Sequence, residues 1–286
     1  MDTTTLLWTL AATLFAGLQT FSQKVAAQEK RDSAFNGFMM YAVSGSLAVT
    51  FLIFQPPLSD VWPLIALFGL AAGAAHALGN YIRLEALKHI DSVIYFPLNK
   101  VLGPLLVLIG GVYIFGDKLS VVQMIGVVCS ISVPLLLISG AEHTRQSDLR
   151  RGLWFVVIST TLTSVSMLLT KQGLLYSSDI FFFLVMSQVA GVVSSTAIFI
   201  HKEKSFAHLT MRDVWLGVAS GTLGFMAYAT LLIALTTGLV SIVYVIQAHY
   251  ILIPILLSIW WYKEHINIRK ILAVVLSLTA IGLFFE

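Results

Sequence analysis

The chain has 286 residues, 58% of them hydrophobic and 11% charged, with a formal net charge of +3. Soluble domains carry about 25% charged residues, and no soluble fold of this length hides so much apolar surface. The basic residues are spread over short loops and form no patch, so the charge is a topology signal and does not point to nucleic acid; the single cysteine, Cys129, excludes a disulfide framework and a zinc cluster.

A hydrocarbon core about 30 Å thick needs roughly twenty apolar residues per helix. Ten such segments follow one another, near residues 5–24, 35–54, 62–83, 92–116, 121–140, 151–171, 180–200, 213–235, 239–262 and 268–285. The chain opens Met1-Asp2-Thr3 with no basic n-region, so the first segment reads as a retained helix and not as a cleaved leader. The hydrophilic stretch near 141–151 divides the chain into a first repeat (1–140), a linker (141–151) and a second repeat (152–286).

The two halves carry opposite charge bias. The first is basic after its first and third helices (Lys24, Lys30, Arg31; Arg83, Lys88), the second after its second and fourth (Lys202, Lys204, Arg212; Lys263, Arg269, Lys270). Positive loops stay in the cytoplasm, so the halves are inserted upside down relative to each other. Placing loops one, three, five, seven and nine in the cytoplasm puts fourteen of the seventeen Lys and Arg there or at its edge. The expected fold is an all-α membrane protein of ten transmembrane helices in two inverted five-helix repeats.

The repeats also align residue by residue. Thr13, Gly17, Thr20 and Lys24 match Ser159, Thr163, Ser166 and Thr170; Gly69, Gly73, His76 and Asn80 match Gly217, Gly221, Gly224 and Tyr228. These spacings keep residues on one helical face, and small residues there let helices approach closely. After the fourth and ninth helices, Asp117-Lys-Leu-Ser answers Glu264-His-Ile-Asn.

With the short connection Ala86-Leu87-Lys88-His89-Ile90-Asp91-Ser92, then Pro104 and Gly116-Asp117-Lys118-Leu119, and the second copy Ala234-Leu235-Thr236-Thr237-Gly238, Pro254 and Lys263-Glu264-His265, the chain resembles the EamA-type ten-helix members of the drug/metabolite transporter superfamily. Pro254 precedes Glu264 by ten residues where Pro104 precedes Asp117 by thirteen, so a kink in the ninth helix is expected elsewhere. The resemblance implies a cavity walled by helices one, three, four, six, eight and nine, with two, five, seven and ten peripheral or on a dimer surface. It implies no particular substrate.

Ionisable residues at membrane depth are costly and point to function. Lys100 lies eight residues into the fourth segment, roughly 12 Å along it, with Asn99 and Tyr95 nearby; His249, with Tyr244 and Gln247, takes the equivalent place in the ninth. His76 and Asn80 share a face of helix three, and Tyr228 falls on the matching face of helix eight. The expected substrate-binding set is therefore Lys100, His76, Asn80, Tyr95, Asn99, Tyr228, Tyr244, Gln247 and His249, although His76 serves equally as an interhelical hydrogen-bonding histidine. Lys24, Lys171 and Arg83, near helix ends, read as snorkelling. Asp117 and Glu264 read as caps of the helices that follow, and the run Phe181-Phe182-Phe183 as lipid-facing or interfacial.

The first and sixth segments hold no acidic residue, which disfavours exchange of lipophilic cations, and no Walker motif, metal-ligand cluster or nucleophile arrangement occurs. The expectation is a secondary transporter, an exporter, of a small polar metabolite such as an amino acid or organic acid, without cofactor, catalytic residue or metal. Its setting is the inner (plasma) membrane of a bacterium. A neutral sugar or nucleoside is the alternative cargo, and a membrane-embedded lipid-handling protein or enzyme the alternative class. Histidine titrates near working pH, so proton coupling and facilitated diffusion both fit; homodimer formation is left open.

Overall fold

A computed structural model describes residues 2–54, 60–90, 92–138, 149–176, 179–202, 209–263 and 268–284. Asp91, His208, Glu264, His265 and most of the 141–151 linker lie outside these. The helices are α1 (Thr3–Gln28), α2 (Ser33–Ile53), α3 (Trp62–His89), α4 (Ser92–Phe115), α5 (Val121–Ile138), α6 (Leu149–Tyr176), α7 (Ile180–Lys202), α8 (Met211–Thr237), α9 (Val240–Tyr262) and α10 (Ile268–Leu283). Eight are long and apolar enough to cross a membrane; α5 and α10 contain the shorter apolar stretches Val121–Leu136 and Ile271–Leu283. The fold is all-α, with ten helices in two inverted five-helix repeats.

Side chains set several helix starts, because the first N–H groups have no partner within the helix. Asp2 accepts from the Thr5 amide at 2.8 Å and Asp32 from that of Phe35 at 2.7 Å. Thr210 and Asp213 form a reciprocal capping box on α8. At the start of α5 it is Ser120 and Gln123 that bond each other's amides, at 3.0 and 3.2 Å.

The packing obeys the repeat. α3 lies against α6 and α7, as α8 lies against α1 and α2; α4 contacts α6, as α9 contacts α1; α2 pairs with α7, α4 with α9, and α5 with α10. Exchanging each helix of one half for its counterpart leaves this set unchanged, which describes a pseudo-two-fold relation. An odd number of helices per half makes the related helices antiparallel, so the axis lies in the membrane plane.

Matching glycines make matching close contacts. A Cβ on Gly69 would lie 2.8 Å from Met186 Cβ, and one on Gly73 would collide with the Ser187 backbone, both on α7. On α8, Gly217 and Gly221 stand in the same relation to α2, where a Cβ would lie 2.6 Å from Met39 Cβ and from Val43 Cβ. The Phe181–Phe183 expectation is corrected by this packing: Phe183 is fully buried and Phe182 nearly so, since α7 is wedged between α2 and α3 and the Phe183 ring presses on Gly173.

α9 breaks. Its segments Val240–Ala248 and Leu252–Tyr262 are joined by a 3-10 turn at His249–Ile251. Pro254 has no amide hydrogen for the Tyr250 carbonyl and its ring crowds that carbonyl, which places the break one turn before the proline. α4, despite Pro104, runs unbroken.

Candidate transport cavity

One face of the bundle is closed around the α8–α9 turn. Thr5 of α1 and Thr237 of α8 share a hydroxyl hydrogen bond of 2.6 Å. Lys171 of α6 is buried, and its Nζ donates to the Leu235 and Gly238 carbonyls at 2.6 and 2.9 Å. Lys171 thus does not snorkel: it satisfies orphan carbonyls at the end of α8, where a cation is also favoured by the helix dipole.

Asp117 completes the closure. Gly116, at φ +68°, ends α4 in the left-handed conformation, and the Asp117 amide donates back to the Gly111 carbonyl at 3.0 Å. This turn aims the Asp117 carboxylate at α9, where Oδ2 accepts from the Ser241 amide at 3.0 Å. The carboxylate therefore caps the ninth helix and not the fifth, whose start Ser120 and Gln123 already occupy.

Toward the other face, where α1 and α3 end and α2 and α4 begin, the bundle encloses a cavity of about 270 Å³. Eight of the nine expected residues line it: His76 and Asn80 from α3, Tyr95, Asn99 and Lys100 from α4, Tyr228 from α8, and Tyr244 and Gln247 from α9. α2 and α7 line it too, through Met40, Tyr41 and Ser44, and through Ser187 and Gln188, so these helices are wall and not periphery.

Several lining groups are already committed to protein partners. Tyr95 is almost fully buried, its hydroxyl 2.9 Å from Ser159 Oγ, and Asn99 Nδ2 donates to Thr160 Oγ1 at 2.9 Å. Asn80 Nδ2 donates to Tyr41 Oη at 3.0 Å, a bond from α3 to α2. Its counterpart joins α8 to α7, with the Tyr228 hydroxyl 3.4 Å from Ser187 Oγ and 3.3 Å from Thr170 Oγ1. The repeat preserves the place of the bond and changes its chemistry.

Others remain available. His76 presents its ring to the cavity and makes no hydrogen bond among the described residues. Lys100 Nζ lies over the Tyr250 ring, 4.1 Å from its centre. Arg83 lines the cavity one turn beyond Asn80, so the expected snorkelling is corrected: the spacing 76, 80, 83 keeps it on the inward face. No Asp or Glu occurs among the described lining residues, and neither Arg83 nor Lys100 has a carboxylate partner among them.

His249 lies elsewhere: it lines a separate small pocket together with Ser130, Val133 and Pro134 of α5. Tyr250 was not anticipated: it lines the cavity three residues past Gln247, on the same face of α9, a spacing the sequence does carry. Lys24 Nζ donates to Ser258 Oγ of α9 at 2.7 Å, so it joins helices and does not reach for the interface.

A single family sequence model, that of the EamA-like transporter family, matches residues 3–139 and again 150–285. The chain belongs to the EamA-like transporter family. It is a multi-pass membrane protein of a family of small-molecule transporters. No curated protein matches its sequence. A solved crystal structure is similar in fold, with a TM-score of 0.78 at 15% identity over 99% of this chain and 97% of the other.

Proposed function

We propose that this EamA-family protein moves a small carboxylate-bearing metabolite, an amino acid or organic acid, across the inner membrane by alternating access. The observation that carries this is the charge of the cavity wall, which holds Arg83 and Lys100 and no described acid. Unpaired cations away from bulk water are costly, and an anionic cargo offsets that cost. The cavity size suits a small metabolite, since drug-sized ligands occupy about 300–1,000 Å³.

The cavity reaches toward the face bearing the basic first and third loops, which the charge bias assigns to the cytoplasm. Loading from the cytoplasm followed by rocking of the two repeats supports export. The Thr5–Thr237, Lys171 and Asp117 contacts are then those that separate as the opposite face opens.

Purified protein in liposomes, tested against labelled malate, glutamate, a neutral sugar and a nucleoside, decides the cargo. Carboxylate transport that falls at least about tenfold in Lys100→Gln is the expected result. Transport of only the neutral compounds, or no effect of Lys100→Gln, would overturn the proposal.

A further inference from the structure

We infer that the cavity carries an ammonium-binding wall, built on Gln19 and Gln23 across from its cations, so that the cargo is a zwitterionic α-amino acid and not an organic acid. This rests on the carboxylate cargo proposed above and adds the group that must accompany the carboxylate. Gln19 and Gln23 of α1 line the cavity together with Met40 of α2. Both amide nitrogens point at the Met40 sulfur, Nε2 of Gln19 at 3.1 Å and Nε2 of Gln23 at 3.4 Å. Neither amide oxygen accepts a hydrogen bond among the described residues. Such an oxygen only accepts, so this wall lacks a donor.

A break in the repeat sets this wall across from the cations. α3 and α8 occupy equivalent places about the pseudo-two-fold axis, and where α3 carries His76, α8 carries Gly224; both line the cavity. The Gln19 amide fills the place of the missing side chain, since a Cβ on Gly224 would lie 2.7 Å from Gln19 Nε2. On the other side, Arg83 and Lys100 both stand near enough to His76 and to Tyr250 to act on them electrostatically.

The two walls also match in depth. Gln23 and Gln19 lie five and nine residues before the end of α1, Arg83 six before the end of α3, and Lys100 eight into α4. These helix ends share one face, and at 1.5 Å per residue all four side chains start about 8–14 Å inside it. Donor-only cations and neutral acceptors therefore meet at one level of the cavity.

Two further unmatched oxygens extend the acceptor wall. Ser44 Oγ of α2 and Gln188 Oε1 of α7 belong to residues that line the cavity, and both atoms are buried without a hydrogen-bond partner among the described residues. The two helices come close here because residue 45 is glycine, where a Cβ would lie 3.4 Å from Gln188 Cβ. Buried acceptors left unmatched are costly. An ammonium brings three N–H donors and no acceptor, whereas a hydroxy acid brings one hydroxyl and a simple carboxylate brings none. An α-amino acid holds its ammonium and its carboxylate on one carbon, so it meets both walls at the same depth. Neutral amides seat the ammonium without an acidic side chain, which leaves Arg83 and Lys100 to the carboxylate of the cargo.

Efflux tests this, from liposomes loaded with the standard amino acids, labelled, or with labelled succinate, glutarate and malate at equal concentrations, protein-free liposomes giving the leakage to subtract. Wild type should release one or more amino acids at least about tenfold faster than any of these acids. Gln19→Met combined with Gln23→Met keeps the length of both side chains and removes both amides, and should bring that ratio toward one. Met40→Leu removes the sulfur that orients the amides and should lower the ratio in part. Release of the acids as fast as of the amino acids by wild type, or a ratio unchanged in the double variant, overturns the ammonium wall and leaves the carboxylate reading standing. If the double variant does not fold, Met40→Leu decides by the same comparison. Release of neither class overturns both.

Discussion

The ammonium of Lys100, on α4, lies 4.1 Å from the centre of the Tyr250 ring, at the break in α9, so one cation–π contact ties the two repeats together across the cavity. Such contacts are worth about 0.5–2 kcal/mol depending on desolvation. Tyr250→Leu removes the aromatic face and should raise KM for a transported carboxylate by about tenfold or less, whereas Tyr250→Phe, which keeps the face, should stay near wild type. Lys118→Gln, an exposed site outside the cavity, is the control and should change neither kcat nor KM.

The glycine contacts should fail in symmetric fashion. Gly73→Ala drives a methyl group into the Ser187 backbone of α7, and Gly221→Ala drives one into Val43 of α2. Overpacking of this kind costs about 1–3 kcal/mol. Both variants should unfold at lower temperature in detergent, while Gly37→Ala and Gly282→Ala, whose Cβ positions meet nothing within 4 Å, should not. Equal melting temperatures across the four would contradict the close packing of α3 on α7 and α8 on α2.

Lys171 should hold one face shut. Lys171→Met keeps the length of the side chain but leaves the Leu235 and Gly238 carbonyls without their donor, at a cost of about 1–3 kcal/mol. In a background lacking Cys129, a cysteine at the buried Thr5 position should then react faster with an impermeant maleimide applied from the non-cytoplasmic side. Asp117→Ala, which uncaps α9, should act in the same direction; unchanged labelling in both would separate these contacts from closure.

A surface ion pair sets an acid limit. The guanidinium of Arg212 holds the Glu29 carboxyl below its ordinary range through bonds of 2.8 and 3.2 Å, with Arg31 adding a third at 3.2 Å. A lowered folded pKa means the contribution is present above the ordinary value of about 4.3 and disappears as the pH falls through the folded value. Melting temperatures recorded between about pH 6 and pH 3 should show this loss in wild type and not in Glu29→Gln. High salt should flatten the difference, because the group is exposed.

Hydropathy, loop charge and a residue-by-residue repeat were enough to specify ten helices, their inverted arrangement and most of the cavity wall. Each of these depends on the polarity of single positions or on a helical period, which the amino-acid order states directly. The glycines at 69, 73, 217 and 221 are legible for the same reason, since a missing side chain on one face says that something comes close. What comes close was decided by the tertiary structure: α7 on α3, α2 on α8, and with them the burial of Phe183 and the entry of Tyr41 and Gln188 into the wall.

The fate of the charged groups was likewise a tertiary matter. Lys171, Lys24 and Arg83 all stand near helix ends, and distance from the end distinguishes none of them from a snorkelling residue. Their partners are separated by 64 residues for Lys171 and Leu235 and by 234 for Lys24 and Ser258, too far for any local pattern to register. His249 and Tyr250 sit in a three-residue tightening of α9. Pro254 foretells a break, but only the packing of α1 against that turn and of Lys100 on the Tyr250 ring settles which side chain meets the cavity and which is buried with one nitrogen unmatched.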